Sequence, residues 1–316
     1  MNYITDRLFE KKWGVFNHYL YNYTAKAENI SWGDAIERID VKKISDQLRK
    51  MGAGYYFITL CQGTKHLLVS NKTYNAIAGC ADCDVTGERD IVSELWEELS
   101  KYGIDLYLYF PSDGPHCDKE YGEKLGFYYE TEDVYKLVDG IYCHREPEEN
   151  KVLLEKRLNS RFVDNWSSVL EEYSVRYGDK IKGWWFDGFY DFFGFTNEWI
   201  EPFYKAAKKG NPGAITTFNN GVKKELYKWY SDEEYTSGEF NELEFVPESR
   251  FVSGLQSHIL APLGSTWGMK DARYDNDYMN KYIKSVNQHG GVVTVDIGVS
   301  SDGSYSDEQL KAMVIK

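Results

Sequence analysis

The sequence predicts a (β/α)8 barrel of the TIM type, an α/β fold, formed as a single domain over residues 1–316. Three observations lead there. Apolar runs of strand length alternate with amphipathic stretches of helical period, the pattern of a parallel sheet. The length of 316 residues exceeds the roughly 250 that such a barrel needs, leaving room for long loops. No G-x-G-x-x-G or G-x-x-x-x-G-K occurs, so the competing doubly wound sheet lacks its nucleotide signature. No linker, low-complexity tract or short repeat divides the chain.

The elements follow in order. Trp13 to His18 (W-G-V-F-N-H) reads as the first strand. Asp40 to Met51 is helical, with Ile44, Leu48 and Met51 on one face, and Gly52 ends it. Tyr55 to Leu60 is the second strand. Asp90 to Tyr102 carries Ile91, Leu95 and Leu99 at helical spacing and stops at Gly103. Asp105 to Phe110 is the third strand, broken by Pro111. Asn150 to Tyr177 reads as one long helix with interleaved charges. The strand from Ile181 then leads into G-W-W-F-D-G. Glu198 to Lys209 is helical, Gly210-Asn211-Pro212-Gly213 is a turn, and Ala214 to Phe218 is a strand. Phe251 to Leu260 reads as another strand. Asp277 to His289 is helical, Val292 to Ile297 is a β-branched strand, and Asp307 to Ile315 closes the chain as a helix.

Composition excludes some functions. The net charge of −13 argues against nucleic acid or an anionic membrane as partner. No run approaches the 18 apolar residues of a membrane span, and the N-terminus has no secretory pattern, so a cytoplasmic protein is expected. The 26 Tyr and 9 Trp are compatible with stacking on the C–H faces of sugars, though core packing uses the same residues. Five cysteines do not suggest a disulfide framework. Cys80 and Cys83 form a C-x2-C, and Cys117 and Cys143 each adjoin a histidine. The four come from three separate segments, so reduced thiols are expected in place of a zinc site, and no metal or cofactor is called for.

In a barrel, the residues that follow each strand line one mouth. Here they are His18, Gln62, Asp113, Asp187, Asn219, Glu239, His258, Trp267 and Asp296. Asp187 ends the most aromatic strand and precedes Gly188. It reads either as a catalytic carboxylate or as a cap for the next turn. Two carboxylates at such a mouth are the minimum for glycoside hydrolysis. The second is one of Glu233, Glu234, Glu239, Glu242, Glu244 and Glu248. Glu239 stands apart because it lies between Gly238 and Phe240 in a loop without helical period, where desolvation would raise its pKa.

Several of these segments, in order, resemble the α-L-fucosidases of glycoside hydrolase family 29. W-G-V-F-N-H-Y (Trp13 to Tyr19) resembles that family's F-G-I-F-x-H-W, and M-G-A-G-Y-Y-F-I-T (Met51 to Thr59) its A-G-A-K-Y-x-x-x-T. R-D-I-V (Arg89 to Val92) and Y-G-I-D-L-Y-L-Y (Tyr102 to Tyr109) are similar to R-D-x-V and G-x-K-x-G-x-Y-Y. G-W-W-F-D-G (Gly183 to Gly188) resembles I-W-F-D-G, T-S-G-E-F (Thr236 to Phe240) resembles T-x-E-Y, S-T-W-G (Ser265 to Gly268) resembles S-W-G-Y, and D-I-G-V-S-S-D-G (Asp296 to Gly303) resembles N-V-G-P-x-x-D-G.

The resemblance implies a retaining exo-α-glycosidase acting on a terminal L-fucose or related sugar. Asp187 would be the nucleophile and Glu239 the acid/base, with His18, Gln62, Tyr109, Trp185, Asn219 and Trp267 around the sugar. Family members usually carry a C-terminal β-sandwich, whereas the likeness here ends with the barrel, so a divergent, barrel-only relative is expected. One departure bears on specificity. Where the family has H-H-D-G-F, this chain has L-C-Q-G-T-K-H, so Gln62 and Gly63 replace a sugar-binding histidine pair. The alternative is therefore a carbohydrate-binding barrel that has lost activity or changed its sugar.

Overall fold

The computed structural model describes residues 3–127 and 158–315, together with the backbone of 135–138 and 141–144. Seven parallel strands form one curled sheet. They are β1 (Trp13–Asn17), β2 (Tyr55–Thr59), β3 (Asp105–Pro111), β6 (Ile181–Asp187), β7 (Ile215–Phe218), β10 (His258–Pro262) and β11 (Val292–Asp296), in the order β10-β11-β1-β2-β3-β6-β7. Two antiparallel ribbons lie apart from it: β4 (Tyr135–Val138) with β5 (Ile141–His144), and β8 (Phe251–Val252) with β9 (Leu255–Gln256).

The helices are α1 (Asp6–Lys11), α2 (Trp32–Arg38), α3 (Val41–Met51), α4 (Lys72–Ala78), α5 (Ile91–Ser100), α6 (Lys119–Leu125), α7 (Ser160–Tyr177), α8 (Asn197–Gly210), α9 (Asn276–Gln288) and α10 (Asp307–Ala312). Side chains in the sequence start them. Asp40, Asp90, Asn159, Asp275 and Ser306 each accept a backbone N–H three residues on, satisfying a donor that the first turn leaves open.

The gap between β7 and β10 is closed by an irregular strand. Residues 234–240 run parallel to the segment 256–260, bridging β9 at Tyr235–Gln256 and β10 at Glu239–Leu260, and Glu234 N–H donates to Thr216 O on the other side at 3.0 Å. This segment is the eighth stave. Its T-S-G-E run has no strand period, which is why the sequence reads as a loop. Gly238 explains the irregularity. It has φ +59°, and a Cβ there would stand 1.8 Å from His258 O. Gly238→Ala is expected to cost roughly 2–4 kcal/mol, seen as a lower thermal midpoint, because both the left-handed backbone and the close approach exclude a methyl.

Strand parity sorts the core into two layers. Phe16, Tyr55, Phe57, Tyr107, Tyr109, Trp185, Ile215, Leu260 and Val292 point inward and fill the barrel. Their neighbours, such as Val15, Tyr56, Leu108, Trp184 and Phe186, point outward against the helices. Gly14 makes room for this interior, since a Cβ there would lie 2.2 Å from the Tyr55 ring. The tandem tryptophans thus divide: Trp184 is outer core, while Trp185 faces the axis.

Two expectations need correction. Phe251 to Leu260 is not one strand. Ser253 and Gly254 take positive φ, fold β8 onto β9 as a hairpin, and β10 begins only at His258. The long helix starts at Ser160, and the expected part before residue 158 lies outside the described residues.

Candidate active site

Inward parity, continued to the C-terminal ends of the strands, delivers the site. Counting by twos from Phe16 gives His18. From Trp185 it gives Asp187, from Ile215 through Thr217 it gives Asn219, and from Val292 through Thr294 it gives Asp296. A cavity of about 180 Å³ opens there, lined by Phe16, His18, Tyr23, Gln62, Tyr109, Trp185, Asp187, Tyr190, Glu239, Leu260 and Trp267. Seven of the eight residues expected at the site line this cavity. The eighth, Asn219, stands behind the two carboxylates and binds both.

Asp187 is held on both oxygens. Oδ2 accepts from the Tyr109 hydroxyl at 2.6 Å. Oδ1 accepts from Gly188 N–H at 2.7 Å, Asn219 Nδ2 at 2.9 Å and the Tyr190 hydroxyl at 3.3 Å. The capping role that the sequence allowed is therefore present, through Gly188, alongside three side-chain donors. The Asp187 charge and burial keep the Tyr190 phenol far above its ordinary pKa. Burial, with the same charge, does so for Tyr109. Both hydroxyls remain donors.

Glu239 sits opposite. Its Oε2 accepts from Asn219 Nδ2 at 2.6 Å. One amide nitrogen thus serves both carboxylates, so the two oxygens it holds lie no further apart than those two bonds laid end to end, about 5.5 Å. Burial, reinforced by the Asp187 charge, pushes Glu239 up to about 7, while Asn219 and His18 pull it the other way. Hydrogen bonds from Leu260 N–H to Gly238 O (2.8 Å) and from Phe240 N–H to Leu260 O (2.9 Å) fix the backbone on either side. Trp185 donates its indole N–H to Ser237 O at 3.0 Å and stacks on Tyr109 at 5.7 Å, so it also holds the stave that carries Glu239.

The opposite wall is imidazole and indole. His18 Nδ1 lies 2.8 Å from Asp296 Oδ1, and Asp296 Oδ2 accepts Gly268 N–H at 2.6 Å. That bond anchors the loop that places Trp267 edge-on to His18, 5.8 Å between centroids. Gln62 lies at the rim, half-buried, where β2 ends.

Three mouth positions read from the sequence resolve differently. His258 starts β10 instead of ending it, and lies buried with Nδ1 on Thr236 O and Nε2 on Thr294 Oγ1. Asp113 pairs with His116 beside the mouth. Asp296 supports His18. Tyr23 and Tyr190 were missed. Tyr190 follows the positive-φ Gly188 and Tyr23 lies in a run of turns, so neither belongs to a periodic pattern that counting could extend.

Cys61, Cys80, Cys83 and Cys117 are free thiols. The side chains of Cys143 and His144 lie outside the described residues. Among the described residues, no group of three or more His, Cys, Asp or Glu could hold a metal ion, and no helix is long and apolar enough to cross a membrane.

The arrangement pairs two unlike carboxylates across a small cavity. One is saturated with donors; the other is desolvated enough to carry a proton near neutral pH. Such a pair can attack with one member and donate a proton with the other.

No family sequence model matches the chain, and no curated protein does. Solved structures do match its fold. An α-L-fucosidase of glycoside hydrolase family 29 from Bacteroides thetaiotaomicron aligns with TM-score 0.64 at 16% identity, over 99% of this chain and 72% of that one. The α-L-fucosidase AlfC from Lactobacillus casei, in complex with α-L-fucose product, aligns with TM-score 0.66 at 16% identity, over 99% and 96%. A bacterial fucosidase with a monovalent iminocyclitol inhibitor gives 0.65 and 16%, over 99% and 73%. The chain therefore has the barrel fold of these fucosidases, as its motifs led one to expect.

Proposed function

We propose that this chain is a divergent relative of the family 29 α-L-fucosidases, and a retaining exo-α-glycosidase that removes a terminal L-fucose or a closely related sugar. The observation that carries the reading is Asn219 Nδ2 donating to both Asp187 Oδ1 (2.9 Å) and Glu239 Oε2 (2.6 Å), which brings one oxygen of each carboxyl to the same amide nitrogen. Retaining glycosidases need about 5–5.5 Å between their carboxyls, whereas inverting enzymes need roughly 6.5–9.5 Å to admit a water.

The reaction runs in two steps. Asp187 Oδ attacks the anomeric carbon while protonated Glu239 gives its proton to the departing oxygen. The glycosidic C–O bond breaks as the ester to Asp187 forms. Glu239, now ionised, takes a proton from water, the hydroxide equivalent attacks the anomeric carbon, and Asp187 leaves as carboxylate. Tyr109, Tyr190 and Gly188 hold Asp187 in line. His18, oriented by Asp296, Gln62 and Trp267 face the sugar. A cavity of about 180 Å³ is below the roughly 300–1,000 Å³ of drug-sized pockets, and suits one ring in place of an oligosaccharide.

Asn219→Ala is expected to lower kcat/KM by about 10- to 100-fold and move the alkaline limb of its pH profile upward, since the lost amide was holding the Glu239 pKa down. An unmoved limb would dissociate Asn219 from Glu239.

The function itself is tested on a panel of aryl α- and β-glycosides, beginning with α-L-fucoside and α-L-galactoside. Release of the aryl group from an α-L-glycoside is the expected result and names the sugar. Turnover confined to β-glycosides would refute the assignment. Silence on every glycoside, with sugar binding retained in calorimetry, would favour a carbohydrate-binding barrel.

A further inference from the structure

We propose, on the reading of Glu239 as the acid, that Arg273 is its positioning residue: the guanidinium ties the stave that carries Glu239 to the end of β10 and so holds that carboxyl against Asn219 and Asp187. Arg273 lies between β10 and α9 and does not line the sugar cavity. Its Nη2 donates to Asn241 O, two residues after Glu239, and to Pro262 O, at the last residue of β10, both at 2.8 Å. Its Nη1 donates to Glu242 Oε2 at 2.7 Å.

The clamp stands where the ladder stops. Among the described residues, the bridge Glu239–Leu260 and the bond from Phe240 N–H to Leu260 O are the last backbone links between the stave and β10. One residue beyond them, the guanidinium takes over and joins the carbonyls of Asn241 and Pro262 through a single nitrogen. The same residue closes a loop. Arg273 N–H donates to Leu263 O at 2.9 Å, which pins the base of residues 263–273. That loop carries Trp267, edge-on to His18. Arg273 therefore fixes two walls of the cavity relative to one another, the acid stave and the indole loop.

The geometry calls for arginine. A planar fork reaches two carbonyls and a carboxylate at once, whereas lysine offers one nitrogen. The ion pair is the lesser part. The Glu242 side chain is 52% exposed and also accepts from the Tyr274 hydroxyl at 2.6 Å. An exposed pair of this kind adds little. The carbonyl bonds do the holding.

The titratable groups that face Glu239 are Asp187, His18, Tyr190 and Tyr227. Burial is the largest cause that raises Glu239. With the clamp gone, the stave loosens, water reaches the carboxyl, and its pKa returns toward the ordinary 4.5. Loss of a positive charge alone would move it the other way, so the sign of the change separates the two causes.

The test is a titration of the full chain by NMR, with carbon-13 in the glutamate carboxyls and the Glu239 signal assigned by its loss in Glu239→Gln. Glu239 should titrate near 7 in the wild type. In Arg273→Met it should titrate about one pH unit lower or more. Glu242→Gln removes the ion pair and leaves both carbonyl bonds, and should stay within about 0.3 unit of the wild type. If Arg273→Met does not fold, Arg273→Lys, which keeps the charge and loses the fork, should still lower the value by about half a unit. A Glu239 value that is unchanged or raised in the folded Arg273 variant would overturn the proposal. So would a wild-type value near 4.5, or an equal fall in Glu242→Gln. On any aryl glycoside that the wild type hydrolyses, Arg273→Met should cost about tenfold in kcat/KM and carry the alkaline limb down with the titration. The titration itself needs no turnover, so it decides the role of Arg273 even if the glycosidase reading fails.

Discussion

Asp187→Asn should abolish turnover of whichever aryl glycoside the wild type hydrolyses, lowering kcat/KM by about 10³-fold or more. The substitution keeps the shape of the side chain and removes the attacking oxygen. Its cost in stability should be modest, about 1–2 kcal/mol, because the new amide nitrogen must face at least one group that now donates to a carboxylate. A kinetic loss far larger than the stability loss is the signature of a group that acts in the transition state. Activity within tenfold of wild type, in a protein with an unchanged thermal midpoint, would sink the nucleophile assignment and leave Asp187 as a turn cap.

Removing the proposed acid, Glu239, is expected to give the second large effect. Glu239→Gln should cost about 10²–10⁴-fold on substrates whose leaving group needs a proton, and much less on activated aryl glycosides. The pH dependence has a defined sign. A general acid works only while protonated, so wild-type kcat/KM should be high below about 7 and fall as pH rises through that value. The Gln variant should lack this limb. Stability should move in the matching direction. The pKa of Glu239 is raised in the folded state above its ordinary 4.5. Its contribution is therefore fully present below about 4.5 and is lost as pH rises through about 7. Measured by thermal unfolding, Glu239→Gln should gain on the wild type between pH 5 and pH 8. A variant that loses ground over that interval would contradict a desolvated Glu239.

Much of the barrel was legible because its strands carry strict signals. W-G-V-F-N, Y-Y-F-I-T, D-L-Y-L-Y-F and V-V-T-V-D are apolar on both faces, as strands covered by helices outside and packed against a filled interior must be. Asp187 was legible for the same reason, since a carboxylate that ends such a run falls at the mouth by parity. Glu239 was harder. Its stave bends at Gly238, bridges β9 and β10 at one point each and shows no period, so only its environment, a glycine and an aromatic neighbour, set it apart from five other glutamates.

Other features depended on contacts distant in sequence. His18 and Asp296 are 278 residues apart, and nothing local says that one orients the other. Asn219 follows a strand, where a hydroxyl-binding or a turn role is open: its Oδ1 accepts Gly221 N–H in a turn, while its Nδ2 donates to the two carboxylates, which only the fold brings to it. The misreading of His258 shows the cost of a wrong strand start. With the Ser253–Gly254 turn overlooked, the strand seemed to end where it begins, and a buried interior histidine was moved to the mouth.

The central claim is that Asp187 bonds covalently to the sugar, and labelling tests it most directly. The wild type would be treated with 2-fluoro-fucosyl fluoride, or the equivalent fluoride of the sugar found in the panel, then digested and mapped by mass. One glycosyl label is expected, on the peptide that carries Gly183 to Gly188, and none in Asp187→Asn. A label on any other carboxylate, or steady hydrolysis by an enzyme that never becomes labelled, would contradict it.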